Sequence, residues 1–136
     1  MVPTRIILDT NVVISAFCYG GTPKAVFEKV IGGEFELIVS QKQLKEVVRA
    51  ISYPRLHLSR EQQQRFLSIL KSVSTIIETS TVLDIIKEDP ADNMLLEAAV
   101  DSGARYIVSG DKHALKAKRI SNTPIVTPAE FLRLLR

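Results

Sequence analysis

The sequence is short of the residues that hold small secreted or zinc-bound proteins together. It has one cysteine, Cys18, so no internal disulfide can form. With only two histidines, His57 and His113, and no cysteine cluster, it lacks the ligands of a structural zinc site. It also has no tryptophan and few other aromatic residues, so leucine, isoleucine, valine and alanine must build the interior. These absences fit a layered α/β protein of a reducing cytoplasm.

Long hydrophobic runs are missing as well. The longest, such as Ile76-Ile77 and Tyr106 to Val108, fall far short of the ~18 residues that a membrane-spanning helix needs. The N-terminus has no charged leader before an apolar stretch. We therefore expect a cytoplasmic protein without a membrane segment. Its 136 residues, 46% hydrophobic and 24% charged, fit one domain spanning residues 1–136.

Charge is distributed unevenly, although the net charge is only +3. Residues 1–40 hold 3 basic and 4 acidic side chains, and residues 41–75 hold 7 and 2. Residues 76–102 hold 1 basic and 7 acidic side chains, and residues 103–136 hold 7 basic and 2 acidic ones. A basic band around an acidic centre would suit a polyanion held near a cation site, although such blocks are commonly only solvated helix faces.

Short apolar runs alternate with helical patterns along the chain. Strands are predicted at residues 5–8, 35–39, 75–78, 105–108 and 124–126. A polar turn is predicted at Asp9-Thr10-Asn11, directly after the first strand. Because several strands are apolar throughout and alternate with helices, we predict an α/β fold, a three-layer α/β/α sandwich with a central, mostly parallel sheet.

Helix starts are marked by capping residues. Thr22 with Pro23 begins one helix, and Ser59 with Gln62 forms a capping box for another. Ser40 caps a helix with a predicted buried stripe at Leu44, Val47, Val48 and Ile51. Further helices are predicted from Asp89-Pro90 to Gly103, over the basic segment Lys112 to Lys118, and after Thr127-Pro128.

Several acids follow the predicted strands. In open parallel sheets, ligands bind beyond the carboxyl ends of the strands. Asp9 follows the first strand and Asp111 follows the fourth, so the two carboxylates meet if those strands are neighbours. Asp92 lies in the first turn of the helix that enters the fourth strand, three residues after Asp89. Crowded carboxylates repel unless a cation compensates. Oxygen ligands without histidine or cysteine select Mg²⁺ or Mn²⁺, ions suited to phosphodiester hydrolysis.

Each acid also has a purely structural explanation. Asp89 can cap its helix, and Asp92 is favoured there by the helix dipole. Asp111 can cap the following helix, and Asp9 can brace a turn. Glu46 lies about 200° from the first residue of the predicted apolar stripe, so its position on the helix indicates a solvent-facing side chain.

Five segments occur together in one order and cover nearly the whole chain. They are Ile6 to Val12 (IILDTNV), Leu44 to Val48 (LKEVV), Asp89 to Ala99 (DPADNMLLEAA), Tyr106 to Asp111 (YIVSGD) and Ile125 to Phe131 (IVTPAEF). Together they resemble the PIN domain family, in particular the short single-domain toxins of bacterial and archaeal toxin–antitoxin modules. The resemblance implies a PIN-like fold in which the first and fourth strands are adjacent. It also implies a Mg²⁺- or Mn²⁺-dependent ribonuclease that cleaves single-stranded RNA with a metal-activated water.

The same resemblance implies the site residues. It makes Asp9, Glu46, Asp92 and Asp111 an acidic quartet around one or two divalent ions. Asp9 and Asp111 are then the direct ligands, and the other two bind directly or through water. Polar residues that support the ligands are Asn11, Asn93 and Ser109. Where the family more often has threonine, this chain has Ser109, whose hydroxyl can make the same hydrogen bond.

Partners follow from charge and from the resemblance. Lys112, Lys116 and Arg49 are candidates for contacting RNA phosphates, and Arg55 is a further one. Tyr53 could stack on a base or pack under the following proline. The resemblance implies a separate antitoxin chain and allows a homodimer. Two alternatives stay open: a non-catalytic RNA- or partner-binding PIN-like module, and a receiver-like signalling domain. The second fits less well because Asp9 has no acidic neighbour.

Overall fold

Strands and helices alternate along the part of the chain that the structure describes. This computed structural model describes residues 3–82, 90–110 and 123–135, with the backbone alone for 90–92. The elements in order are β1 (Thr4–Leu8), α1 (Thr10–Cys18), α2 (Gly21–Ile31), β2 (Phe35–Ser40), α3 (Gln41–Ile51), a 3₁₀ turn (Pro54–Leu56), α4 (Arg60–Val73), β3 (Ser74–Ile77), α5 (Pro90–Ser102), β4 (Tyr106–Val108), β5 (Ile125–Val126) and α6 (Pro128–Leu134).

The five strands form one sheet in the order β3-β2-β1-β4-β5, and every neighbouring pair is parallel. Ile6 of β1 is in register with Leu37 of β2 on one side and with Tyr106 of β4 on the other. The predicted adjacency of the first and fourth strands is therefore confirmed. Because the chain builds outward from β1 in two directions, the strand order reverses between β1 and β4, where such sheets bind ligands.

Apolar side chains cover both faces of the sheet. Ile6 and Leu8 of β1 belong to a core cluster formed with helices α1, α2, α3, α4 and α6. Ile7 lies between them in sequence and belongs to a second cluster, with Ile107 and with Leu95 of α5. Successive strand residues point to opposite faces, so strands buried on both sides are apolar throughout. The predicted three-layer α/β/α architecture is confirmed.

The region after β1 differs from the prediction. The polar turn predicted at residues 9–11 is the start of helix α1, because the carboxylate of Asp9 accepts a hydrogen bond from the Val12 amide at 2.7 Å and caps the helix. Thr22, predicted as a helix cap, lies inside α2. That helix begins at Gly21, and its cap is Gly20, whose φ of 84° favours glycine.

Other predicted boundaries agree closely with the structure. Ser40 caps α3 by accepting from the Gln43 amide, and both predicted starts at Ser59 and Thr127 are capping boxes. Strand β3 begins and ends one residue earlier than predicted. The predicted helix at 112–118 lies outside the described residues. Within the described ranges, no helix combines the length and the apolar character needed to cross a membrane.

Candidate active site

Asp9 lies at the carboxyl end of β1, where the strand order reverses. Its backbone amide donates to the carbonyl of Val108 at the end of β4, at 2.9 Å. Its Oδ1 accepts from the Val12 amide, and its Oδ2 accepts from the hydroxyl of Ser109. The residue is only 5% exposed. Both carboxylate oxygens are thus oriented by donors from two different elements, one of them the first turn of a helix.

A cavity of about 310 Å³ opens beside this carboxylate. It lies at the carboxyl end of the sheet and is lined by Asp9, Asn11, Val12, Ser15, Pro23, Gly110 and Pro128. Gly110 comes directly before Asp111, which lies outside the described residues. The cavity thus lies between the beginning of α1 and the chain that leaves β4. Asn11, predicted to support Asp9, lines the same cavity.

Glu46 is half-buried on α3, so the predicted solvent-facing position is wrong. The buried residues of this helix are Gln43, Val47 and Ile51, whereas Val48, predicted to be buried, is 45% exposed. The buried face of α3 is therefore rotated relative to the predicted stripe. Glu46 lies about 100° around the helix from the centre of this buried face, at the border of the core.

The side of α3 that carries Glu46 faces α5. Lys42, one turn before Glu46 on the same side, forms an ion pair with Glu97 of α5, with 3.2 Å between Nζ and Oε1. Arg49 is exposed one turn after Glu46 and also lies on this side. Helix α5 includes Asp92 in its first turn, although the side chain of Asp92 is outside the description. The packing of α3 against α5 therefore brings together the two helices that carry Glu46 and Asp92.

Polar residues near the site fall into two groups. Asn93 of α5 is buried, at 5% exposed, and Ser109 is fully buried against Asp9. Both positions fit supporting roles, whereas Lys112 and Lys116 lie outside the described residues together with Asp111. The structure thus places Asp9 and Asn11 at one cavity, with Ser109 hydrogen-bonded to Asp9, and leaves the contacts of Asp92 and Asp111 outside its description.

Gln43 and Thr10 were not among the predicted site residues. Gln43 is 1% exposed, and its Nε2 donates to the carbonyl of Leu8, the residue before Asp9, at 2.6 Å. Its Oε1 and the buried hydroxyl of Thr10 have no hydrogen-bond partner among the described residues. A glutamine at the third helical position after a serine resembles a capping box, so local spacing gave no sign of this long-range contact. Gln43 fixes the backbone that presents Asp9.

Perturbed carboxylates elsewhere have structural explanations. The hydroxyl of Thr75 and then the guanidinium of Arg5 lower the pKa of Glu36, which lies near the amino end of β2. The hydroxyl of Thr81 and neighbouring backbone amides lower the pKa of Asp101, which ties the segment after β3 to α5. Both groups stabilise the fold at a distance from the cavity.

The donors around the cavity suit a hard divalent cation. The described lining offers the carboxylate of Asp9, the amide of Asn11 and the hydroxyl of Ser15. These are oxygen donors of the type that Mg²⁺ and Mn²⁺ prefer. No group of three or more histidine, cysteine, aspartate or glutamate side chains that could hold a metal occurs among the described residues, a set that excludes Asp111 and the side chain of Asp92.

The protein is a doubly wound α/β protein with a buried carboxylate at the switch point of its sheet, the place where proteins of this class bind ligands. A PIN domain family model matches residues 5–113, and the chain belongs to the PIN domain family. The sequence matches no curated protein.

Solved structures share the fold at low sequence identity. PAE2754 from Pyrobaculum aerophilum has a TM-score of 0.67 at 17% identity, covering 97% of this chain and 90% of that one. VapBC2 from Rickettsia felis, bound to a DNA fragment from its promoter, has a TM-score of 0.61 at 16% identity, covering 90% and 97%. FitAcB from Neisseria gonorrhoeae has a TM-score of 0.58 at 15% identity, covering 91% and 98%.

Proposed function

We propose that this protein is a divalent-metal-dependent endoribonuclease that cleaves single-stranded RNA. The observation that carries the proposal is Asp9, a buried carboxylate with both oxygens oriented, beside a cavity at the switch point of a PIN fold. PIN domains are generally nucleases, which supports hydrolysis as the reaction class. The predicted acid Asp111 follows the cavity-lining Gly110 by one residue.

Four acids would form the cation site in this proposal. Asp9 and Asp111 would hold the cation directly, and Glu46 and Asp92 would hold it directly or through water. Bound Mg²⁺ or Mn²⁺ would polarise the scissile phosphate and lower the pKa of the attacking water. Ser109 holds Oδ2 of Asp9 in place, and Val12 holds Oδ1, so the carboxylate is oriented before any ligand arrives.

Basic side chains near the acids would hold the RNA backbone. Arg49 lies on the side of α3 that also carries Glu46, and it is exposed. Lys112 follows Asp111 directly in the sequence, and Lys116 lies one helical turn further on in the predicted helix at 112–118. These cations would contact phosphates on either side of the scissile bond without reading base identity. Asn93, buried on α5, would support the neighbouring Asp92.

We further propose that the protein is the toxin of a toxin–antitoxin pair in the cytoplasm. The sequence resembles the short PIN toxins of such modules, and the fold is similar to those of VapBC2 and FitAcB. A separate antitoxin chain would then block the acidic cavity, and two copies of the chain would form a homodimer. Co-expression with the product of a small neighbouring reading frame tests this role, because an antitoxin would co-purify and suppress cleavage.

Cleavage of single-stranded RNA tests the catalytic proposal. Purified protein is incubated with RNA in Mn²⁺, Mg²⁺ or chelator, alongside Asp9→Asn and Asp111→Asn. We expect cleavage only with metal and none in either variant. Asp101→Asn is the matched control, since it removes one carboxylate that lies outside the cavity. If all the variants cut as well as the parent protein, the activity belongs to a contaminant and the assignment of the site is wrong.

A further inference from the structure

A second cavity lies next to the one beside Asp9 and shares two lining residues with it. It measures about 370 Å³, and its lining consists of Asn11, Ile14, Ser15, Tyr19, Arg55 and Leu56. Asn11 and Ser15 line both cavities. Residues 11, 15 and 19 are each one helical turn apart, so one side of α1 forms a continuous wall about 12 Å long. The wall leads from the oriented carboxylate to Tyr19.

The far end of this wall places an aromatic ring beside a cation. Tyr19 is 73% exposed, so its ring lies on the surface and not in the core. Arg55 lines the cavity opposite α1 and lies 5.7 Å from the ring centre of Tyr53. No carboxylate within the described part of the chain is within ion-pair distance of Arg55. Arg55 is exposed, and none of the described carboxylates neutralises its charge.

The backbone that presents Arg55 is a hydrogen-bonded turn that packs against the core. The 3₁₀ turn Pro54–Leu56 is closed by the hydrogen bond from the Leu56 amide to the Tyr53 carbonyl at 3.1 Å. His57 ends the turn in the left-handed region at φ 52°, a conformation that costs free energy for any residue other than glycine. Leu56 packs against the main core cluster and anchors the turn. The cation and the ring of Tyr53 are thus preorganised at the surface.

We propose that this second cavity binds a nucleotide of single-stranded RNA that flanks the scissile phosphate. Tyr19 stacks on the base, and Arg55 contacts the adjoining phosphate. The inference rests on the proposed ribonuclease function and extends it by naming where the strand leaves the acidic cavity. An exposed ring and a guanidinium that line one cavity are a combination that binds single strands without reading sequence.

RNA suits this surface better than a protein segment does. The lining combines an amide, a hydroxyl, a phenol and a guanidinium with two aliphatic side chains, rather than the continuous apolar surface of a helix-binding groove. Residues 41–75, which include Arg55, carry 7 basic and 2 acidic side chains and would attract a polyanion. The cavity also shares Asn11 and Ser15 with the cavity of the proposed cleavage site.

Binding of RNA fragments of graded length tests this inference. Asp9→Asn protein, in which the proposed function predicts no cleavage, is titrated with a labelled single-stranded RNA of about twelve nucleotides and with versions shortened from either end. Fluorescence anisotropy reports the Kd. Adding Tyr19→Ala should weaken binding of the long RNA by about 5- to 150-fold, and Tyr19→Phe should restore it because the ring remains.

Salt dependence tests the cation separately. Adding Arg55→Ala should make the slope of log affinity against log salt shallower by about 0.7, the value for one phosphate contact on a single strand. Arg65→Ala is the matched control, because Arg65 is exposed on α4, carries the same charge and lines neither cavity. It should leave the Kd of the long RNA within about twofold.

The length dependence decides the outcome. Removing nucleotides from one end of the RNA should abolish the difference between the Tyr19→Ala protein and its parent. The proposal is overturned if Tyr19→Ala and Arg55→Ala bind every RNA as the parent does, or if the loss is equal at all lengths. Unchanged RNA binding with loss of a co-purifying protein would assign the cavity to a protein partner instead. Absence of metal-dependent cleavage by the unaltered protein would refute only the proposed function.

Discussion

Replacing Ser109 by alanine tests whether Asp9 is held as the structure describes. The hydroxyl of Ser109 donates to Oδ2 of Asp9, and both side chains are buried. Ser109→Ala removes the donor and leaves a buried carboxylate with one hydrogen bond fewer. Hydrogen bonds to charged groups contribute about 1.5–3 kcal/mol to the free energy of unfolding. Ser109→Ala should therefore lower the free energy of unfolding by about 1.5–3 kcal/mol.

The loss converts into a shift of the melting temperature. An unfolding entropy of about 2.1 cal/mol/K per residue gives roughly 0.29 kcal/mol/K for 136 residues. Ser109→Ala should therefore lower the melting temperature by roughly 5–10 °C, measured by circular dichroism in chelator. Ser109→Thr keeps the hydroxyl and should retain most of the stability. Ser72→Ala removes an exposed hydroxyl from α4 and should change the free energy by no more than about 0.5 kcal/mol.

A double substitution assigns the effect to Asp9. In the Asp9→Asn background the single side-chain oxygen keeps the cap on Val12, so the amide nitrogen would face Ser109 and donate to its hydroxyl, and hydrogen bonds between neutral groups are about half as strong as those to charged groups. The cost of Ser109→Ala should therefore fall by about half when it is measured by urea unfolding. An unchanged cost in that background, or no cost in the unaltered protein, would refute the assigned contact between the two side chains.

Three further predictions concern stability. Phe66→Ala should lower the free energy of unfolding by about 3–5 kcal/mol, since this ring is 4% exposed, and urea unfolding measures the loss. Gln43→Leu should cost about 1–3 kcal/mol by the same measurement, because the carbonyl of Leu8 loses its buried donor; no loss would contradict the contact. The hydrogen bond from Thr81 lowers the pKa of Asp101, so this carboxylate stabilises the fold above its unfolded pKa near 4, and the stabilisation is lost as pH falls through the lower folded pKa. Asp101→Asn should thus lower the melting temperature at pH 7 and not at about pH 2, and an equal effect at both would refute this.

The sheet and its order of elements were predictable because local signals agreed with the tertiary structure. Apolar runs marked all five strands, and capping residues such as Ser40 and Ser59 marked helix starts. Helix α1 was not predicted, because the β-branched residues from Val12 to Ile14 have a low intrinsic helix propensity and Asp9-Thr10-Asn11 is typical of a polar turn. Only the hydrogen bond from Val12 to Asp9 shows that the acid caps a helix.

The site was less predictable than the fold. The strand pattern alone placed Asp9 at the right edge, but only the resemblance made β4 its neighbour and gave Glu46 a role. The predicted helical wheel failed for Glu46 because Gln43, a polar residue, occupies the buried face in place of Val48. A glutamine that reaches Leu8 across 35 positions leaves no local signal. Long-range polar contacts of this kind are set by packing rather than by spacing.

Binding of Mn²⁺ measured by calorimetry tests most directly whether the acids form a cation site. The unaltered protein should bind Mn²⁺, and Asp9→Asn should not, although asparagine caps α1 about as well as aspartate and keeps the fold. Asp111→Asn should behave in the same way, and Asp101→Asn should bind as the unaltered protein does. Equal Mn²⁺ affinity in the unaltered protein and in Asp9→Asn would contradict the account.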